Sequence, residues 1–128
     1  MGKTILLLGA FDTKGEEYAF VKAIIESKGH SVLLLHIGVF DSDTSIRPHI
    51  TNTEVAEAVG VSIGDLQAGK DRGEAMRVMS AGAAVLVRQL FDEGKFDGAF
   101  GMGGTGGTSV ITAGMQSLPI GVPKVMVS

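Results

Sequence analysis

Apolar positions along the chain fall into two registers. Four short runs are almost continuously apolar: Thr4–Leu8, "SVLLLHI" at 31–37, "FDGAF" at 96–100 and Lys124–Val127. Continuous rather than alternating runs of this length suit strands of a parallel sheet covered on both faces. Between them lie stretches with helical spacing. Ala19, Val21, Ile24 and Ile25 form an approximate stripe behind "GAFDTKGEE", where Thr13 and Glu16 stand at capping-box spacing, and Gly29 is a natural stop. Thr51 and Glu54 repeat that spacing and open a short helix, "EVAEAV", ended by Gly60. Asp71 and Glu74 open the longest predicted helix, which runs to Glu93 with Met76, Met79, Ala83, Leu86 and Leu90 on one face and Gly94 behind it. A last helix is predicted over 108–117. Residues 41–53, "DSDTSIRPHITNT", lack periodicity and read as a long loop, and "SIGDLQAGKD" at 62–71 has no clear assignment.

Strands that alternate with helices predict an α/β fold, a Rossmann-like three-layer sandwich with a parallel sheet of four strands. Right-handed crossovers restrict the topology, and strand order 2-1-3-4 fits best. In that order the chain reverses direction across the sheet between the first and third strands. Ligands of such folds bind in the crevice at the carboxyl ends of those strands. The loops that flank it are 9–15 and 101–108. Residues 1–128 read as one nucleotide-binding domain. Because an apolar strand ends the chain, its exposed edge predicts cover from another chain, as in a homo-oligomer, or from the rest of a longer two-domain chain of which this is the front part.

Composition narrows the function classes. The 128 residues carry 45% hydrophobic and 20% charged side chains, enough apolar material for a packed core. A net charge of -3 argues against a nucleic-acid surface built on excess positive charge, and one Tyr, no Trp and six Phe supply few stacking groups. The absence of cysteine removes disulfides and thiolate chemistry and agrees with a cytoplasmic setting. The run Ile5–Leu8 is too short for a signal or membrane-spanning segment, so no membrane association is expected.

The stretch 101–108, "GMGGTGGT", holds five glycines in eight residues between a predicted strand and a predicted helix. Such a junction presents backbone N–H groups and the positive end of a helix dipole to an anion. Gly101, Gly103 and Gly106 match G-x-G-x-x-G, but residues 118–128 contain no acidic residue to take a ribose. Gly101, Gly106 and Thr108 also match a P-loop, except that Gly107 stands where its lysine should be. Tight turning and close helix packing account for one or two glycines, not for five. The facing "DTKG" offers Asp12 as a Mg²⁺ ligand and Lys14 as a phosphate contact; the structural alternatives are an N-cap at Thr13 and a solvated lysine at 14. His36, Asp41, Asp43 and His49 match no standard metal spacing, and the two aspartates read as turn residues. Met76 and Met79 read as core, and Arg47 as a solvated loop residue.

The phrases "DTKGEEYAFVKAIIESKGH", "RGEAM", "GMGGTGGT" and "LPIGVPKVMVS" together resemble the ATP-binding domain family named after the tomato mosaic virus resistance protein. The resemblance implies ATP as ligand, with or without Mg²⁺, in the N-terminal domain of a longer chain. It implies phosphates at Gly103, Gly104, Thr105, Gly106, Gly107 and Thr108, with Asp12, Thr13 and Lys14 beside them and Gly38 and Val39 at the nucleoside end. It supplies no reaction. Two other readings stand beside it: a nicotinamide-dependent oxidoreductase domain, for which Asp41 is the near ribose candidate, and a non-catalytic assembly module in which the glycines only permit packing.

Overall fold

A computed structural model describes residues 2–127, apart from the side chains at 105 and 106. Four strands form one parallel sheet in the order β2-β1-β3-β4: β1 (Thr4–Gly9), β2 (Ser31–His36), β3 (Gly98–Met102) and β4 (Lys124–Val127). This is the expected order. Leu6 lies opposite Leu33 on one side and Ala99 on the other, and Phe100 lies opposite Val125. Helix α1 (Gly15–Ser27) packs on one face. Helices α2 (Asn52–Glu57), α3 (Ile63–Ala68), α4 (Arg72–Asp92) and α5 (Thr105–Gln116) gather on the other.

The continuous apolar run of β1 has its physical reason in these layers. Leu6 and Leu8 point into the core under α4 and α5, Leu7 points towards α1, and all three are fully buried. Each such burial stabilises by about 1.5–3 kcal/mol. The edge at β2 is protected, because His49 and Ile50 return alongside it: the Leu34 N–H donates to Nδ1 of His49 at 2.9 Å and the His36 N–H to the Ile50 carbonyl at 3.0 Å. At the opposite edge, Val125 and Val127 of β4 remain half-exposed.

Four local expectations need correction. Thr13 does not cap α1; the N-cap is Lys14, without a side-chain cap bond, and the Thr13 hydroxyl turns back to the Ala10 carbonyl at 3.4 Å. In α1 Gly15 and Tyr18 are buried and the predicted Val21 and Ile25 pack in the same cluster as Tyr18, whereas Ile24 is 42% exposed, so the apolar face includes Tyr18 and leaves out Ile24. β3 begins at Gly98 rather than Phe96: at the sheet entrance the Thr4 N–H is taken by the Asp97 side chain, whose Oδ2 accepts it at 2.9 Å, rather than by a strand carbonyl. It therefore runs through Gly101 and Met102, and α5 starts at Thr105, leaving only Gly103 and Gly104 as a connection. The unassigned segment at 62–71 contains α3. The caps at Thr51, with both arms of its capping box, and at Asp71 form as the spacing predicts.

Candidate functional site

Helices that connect parallel strands begin at the carboxyl edge of the sheet, so α1, α4 and α5 open on the same side. There a cavity of about 710 Å³ lies between the loops after β1 and β2, the α3–α4 connection and the first turn of α5. Its volume is in the range of small-molecule sites. Of the residues singled out in the sequence, Asp12, Thr13, Gly38, Val39 and Gly107 line it. Lys14, Gly101, Gly103, Gly104 and Thr108 are not among its lining residues; the side chains at 105 and 106 lie outside the described residues.

The loop glycines separate by environment. A Cβ on Gly101 would strike the Ile111 side chain, so this glycine lets α5 press on β3. At Gly103 a Cβ would come within 3.0 Å of the Thr108 N, inside a turn that the Thr108 hydroxyl closes by donating to the Gly103 carbonyl at 3.1 Å. Gly104 and Gly107 differ: a Cβ there would meet nothing within 4 Å. Packing thus explains Gly101 and Gly103 and leaves the other two facing open space. None of these four adopts a left-handed backbone.

The start of α5 is also electrostatically distinct. Helices α2 and α4 open on a side-chain cap, and α1 to α4 each carry an acidic residue in the first turn. Helix α5 has neither: its N-cap, Gly104, makes no side-chain cap bond and no acidic residue follows. The positive end of its dipole therefore meets no carboxylate from its own first turn.

The opposite wall is a rigid loop at Gly38–Phe40. Asn52 donates from Nδ2 to the carbonyls of Gly38, Val39 and Phe40 at 2.9, 3.1 and 3.1 Å. Gln67 donates to the Val39 carbonyl at 2.9 Å. The buried His36 accepts at Nδ1 from the N–H groups of Phe11 and Gly38, which leaves Nε2 to donate to the Phe40 carbonyl at 2.7 Å, and its ring stacks on Phe11. Asp12 takes the Phe40 N–H on Oδ2 at 3.3 Å, whereas its Oδ1 is buried without a partner. A Cβ on Gly38 would run into that carboxylate, so glycine is what lets Asp12 sit there. Sequence reasoning missed Asn52, Gln67, Lys70 and Arg72. Topology alone could have flagged the last two, because a helix leading into β3 must begin at the carboxyl edge.

Behind the site, Tyr18 ties β1 to β3. Its hydroxyl lies 2.6 Å from the Leu8 carbonyl and accepts from the Met102 N–H at 2.7 Å. Burial pushes its pKa up to about 12, against a smaller opposing effect of the Met102 hydrogen bond. Among the described residues no group of three or more His, Cys, Asp or Glu side chains is placed to hold a metal ion. His36 and His49 instead spend Nδ1 on backbone N–H groups, and Asp43 accepts the Ser45 N–H, which holds its carboxyl below its ordinary value. No helix among the described residues is long and apolar enough to cross a membrane.

Comparison with known proteins places these features in a family. The N-terminal domain of the uncharacterised protein family UPF0261 matches residues 3–128. A UPF0261 protein of Clostridium tetani is 46% identical over the whole chain, which covers 31% of that relative, and one of Rhizobium meliloti is 38% identical over 98% of the chain, covering 30%. The tomato ToMV susceptible protein tm-1(GCR26) is 28% identical over 97% of the chain, covering 18% of its length. The chain thus spans about a third of the bacterial relatives. Among solved structures, the C-terminal domain of a Pyrococcus furiosus hydrogenase superposes with a TM-score of 0.67 at 21% identity, covering 98% of this chain and 91% of that one. That likeness concerns the fold alone. The chain belongs to the UPF0261 family, as its N-terminal domain.

Proposed function

We propose that this UPF0261 N-terminal domain binds ATP in the cavity at the carboxyl edge of its sheet, with the phosphates at the start of α5. The observation that carries the reading is the pairing of Gly104 and Gly107, both facing open space, with a helix start that has neither cap nor carboxylate. A polyphosphate would accept from the free N–H groups there and sit at the positive end of the dipole. Asp12 fits a Mg²⁺ counter-ion: its Oδ1 is buried without a partner in the cavity wall, and a phosphate-bound cation would supply one. The proposal is of binding and assigns no reaction.

Titration calorimetry with ATP–Mg²⁺ and with NAD tests this. The expected result is heat of binding with ATP–Mg²⁺ and a far weaker response to NAD, because Asp41, on which a nicotinamide reading depends, is not among the cavity residues. NAD binding without ATP binding would overturn the proposal.

A second reading, assembly through the sheet edge, has one observation in its favour: Val125 and Val127 of β4 and the neighbouring Ile120 are 53%, 49% and 103% exposed. Sedimentation over a range of concentrations tests it. A monomer at every concentration would remove self-association by this edge.

A further inference from the structure

We infer that the cavity reads the number of phosphates on its ligand and not the identity of the base. This rests on the nucleotide-binding proposal and adds to it where specificity lies.

The argument starts from polar groups that are already spent. The wall where a base would lie is the loop Gly38–Phe40. Its three carbonyls accept from Asn52, Gln67 and His36, and the N–H groups of Gly38 and Phe40 are taken by His36 and Asp12. Reading a purine requires donors and acceptors aimed at its edge, and a site built that way rejects the wrong base strongly because its own groups are left unpaired. Here the loop turns its backbone polarity inward. What it shows the cavity is the Val39 side chain and the ring of Phe40, which is 58% exposed. The same cavity is lined by Met76 and Met79, flexible thioethers that adapt to the shape of what they touch. An aromatic face between apolar neighbours stacks any base, since every base has a π-face.

The cationic groups belong to another segment. Lys70 and Arg72, on the α3–α4 connection, are the cationic side chains in the cavity lining. Both are exposed, and neither is in an ion pair among the described residues. Between them, Asp71 is committed to the α4 cap, its Oδ1 accepting the Glu74 N–H at 3.1 Å. Gly107, at the position where a P-loop carries lysine, lines the same cavity without a charge. Lys70 and Arg72 therefore take the place of that lysine: the cations come from the α3–α4 connection, and the backbone cradle comes from α5. Each added phosphate brings further oxygens for this pair, so affinity rises with phosphate number.

Competition calorimetry with ATP, GTP, CTP, ADP, AMP and adenosine tests this on the wild type and on three variants. In the wild type, ATP, GTP and CTP should agree within about threefold, while ATP should exceed AMP by about a hundredfold, as expected from charge-assisted contacts at each added phosphate. Lys70→Ala and Arg72→Ala should each weaken ATP about tenfold and adenosine less than twofold. Phe40→Ala should weaken adenosine and ATP by the same factor. Three results would overturn the inference: GTP or CTP more than about tenfold weaker than ATP, a flat series from adenosine to ATP, or rim variants that lose adenosine and ATP equally. Binding of none of these ligands would refute nucleotide binding itself. Normal ATP binding with strong base preference would refute only the inference drawn here.

Discussion

Removing the Tyr18 hydroxyl tests the clamp that holds the end of β3 beside the end of β1. Tyr18→Phe keeps the buried ring but deletes the group that accepts from the Met102 N–H and lies 2.6 Å from the Leu8 carbonyl. An orphaned buried N–H costs about 1–3 kcal/mol, and the bond to the carbonyl adds about 0.5–1.5, so the variant should lose about 2–4 kcal/mol in urea unfolding. Alkaline pH removes the proton that the hydroxyl carries, without mutation, and leaves the oxygen that accepts from the Met102 N–H. The folded pKa, at about 12, lies above the ordinary value of 10.0, because burial opposes the phenolate. The stabilisation is therefore fully present below pH 10 and is lost as pH rises through 12; the difference amounts to about 2–3 kcal/mol. The chain has a single tyrosine and no tryptophan, so the ultraviolet absorbance of tyrosinate reports Tyr18 alone. The folded protein should titrate near 12, and Tyr18→Phe should lack this component of the alkaline loss. A midpoint near 10, or a variant within 0.5 kcal/mol of the wild type (the ordinary range for a surface change), would refute the claim that this hydroxyl clamps β1 to β3.

Further substitutions address the site and its walls. Gly104→Val should abolish ATP binding while lowering stability by about 1 kcal/mol or less, since the backbone there is extended and a Cβ meets nothing within 4 Å; calorimetry and a thermal melt read the two effects, and normal binding would move the phosphates elsewhere. Asn52→Ala removes the donor that three loop carbonyls share and leaves that of Gly38 without its side-chain partner, since Gln67 and His36 still reach Val39 and Phe40, so it should cost about 1–3 kcal/mol and weaken ATP as well as stability; unchanged affinity would mean that the loop does not form the ligand wall. Gly82→Ala drives a methyl into the Val55 carbonyl where α4 crosses α2, and should destabilise by about 1–3 kcal/mol. Gly64→Ala in α3 has room and should stabilise by up to about 1 kcal/mol. Equal unfolding midpoints for these two glycine variants would show that α2 and α4 are not in such close contact.

What could be read from the sequence was what local pattern dictates. The leucine runs of β1 and β2, the Thr51 and Asp71 caps and the strand order needed only periodicity, capping chemistry and crossover handedness. The position of β3 was displaced because Gly101 and Met102 belong to a strand despite the poor strand propensity of glycine, and pairing with Leu8 and β4 outweighs that propensity. Tyr18 was missed because its reason for burial is a hydrogen bond to Met102, 84 residues away. The same holds for the site. The glycine-rich junction announces itself locally, whereas the Asp12–Gly38 contact and the reach of Asn52 and Gln67 to the 38–40 loop exist only after the chain has folded. The four described glycines of "GMGGTGGT", alike in the sequence, separate into two that pack and two that face open space, a distinction no spacing rule carries.

The central claim is that ATP occupies the cavity between the start of α5 and the 38–40 loop. Backbone amide NMR of the protein titrated with ATP–Mg²⁺ tests it most directly. The account predicts the largest shifts at Gly104, Gly107 and Thr108, with further shifts at Asp12, Thr13 and Val39 and at Lys70 and Arg72. Shifts confined to the β4 edge or the outer face of α1, or no shifts at millimolar ATP, would contradict it.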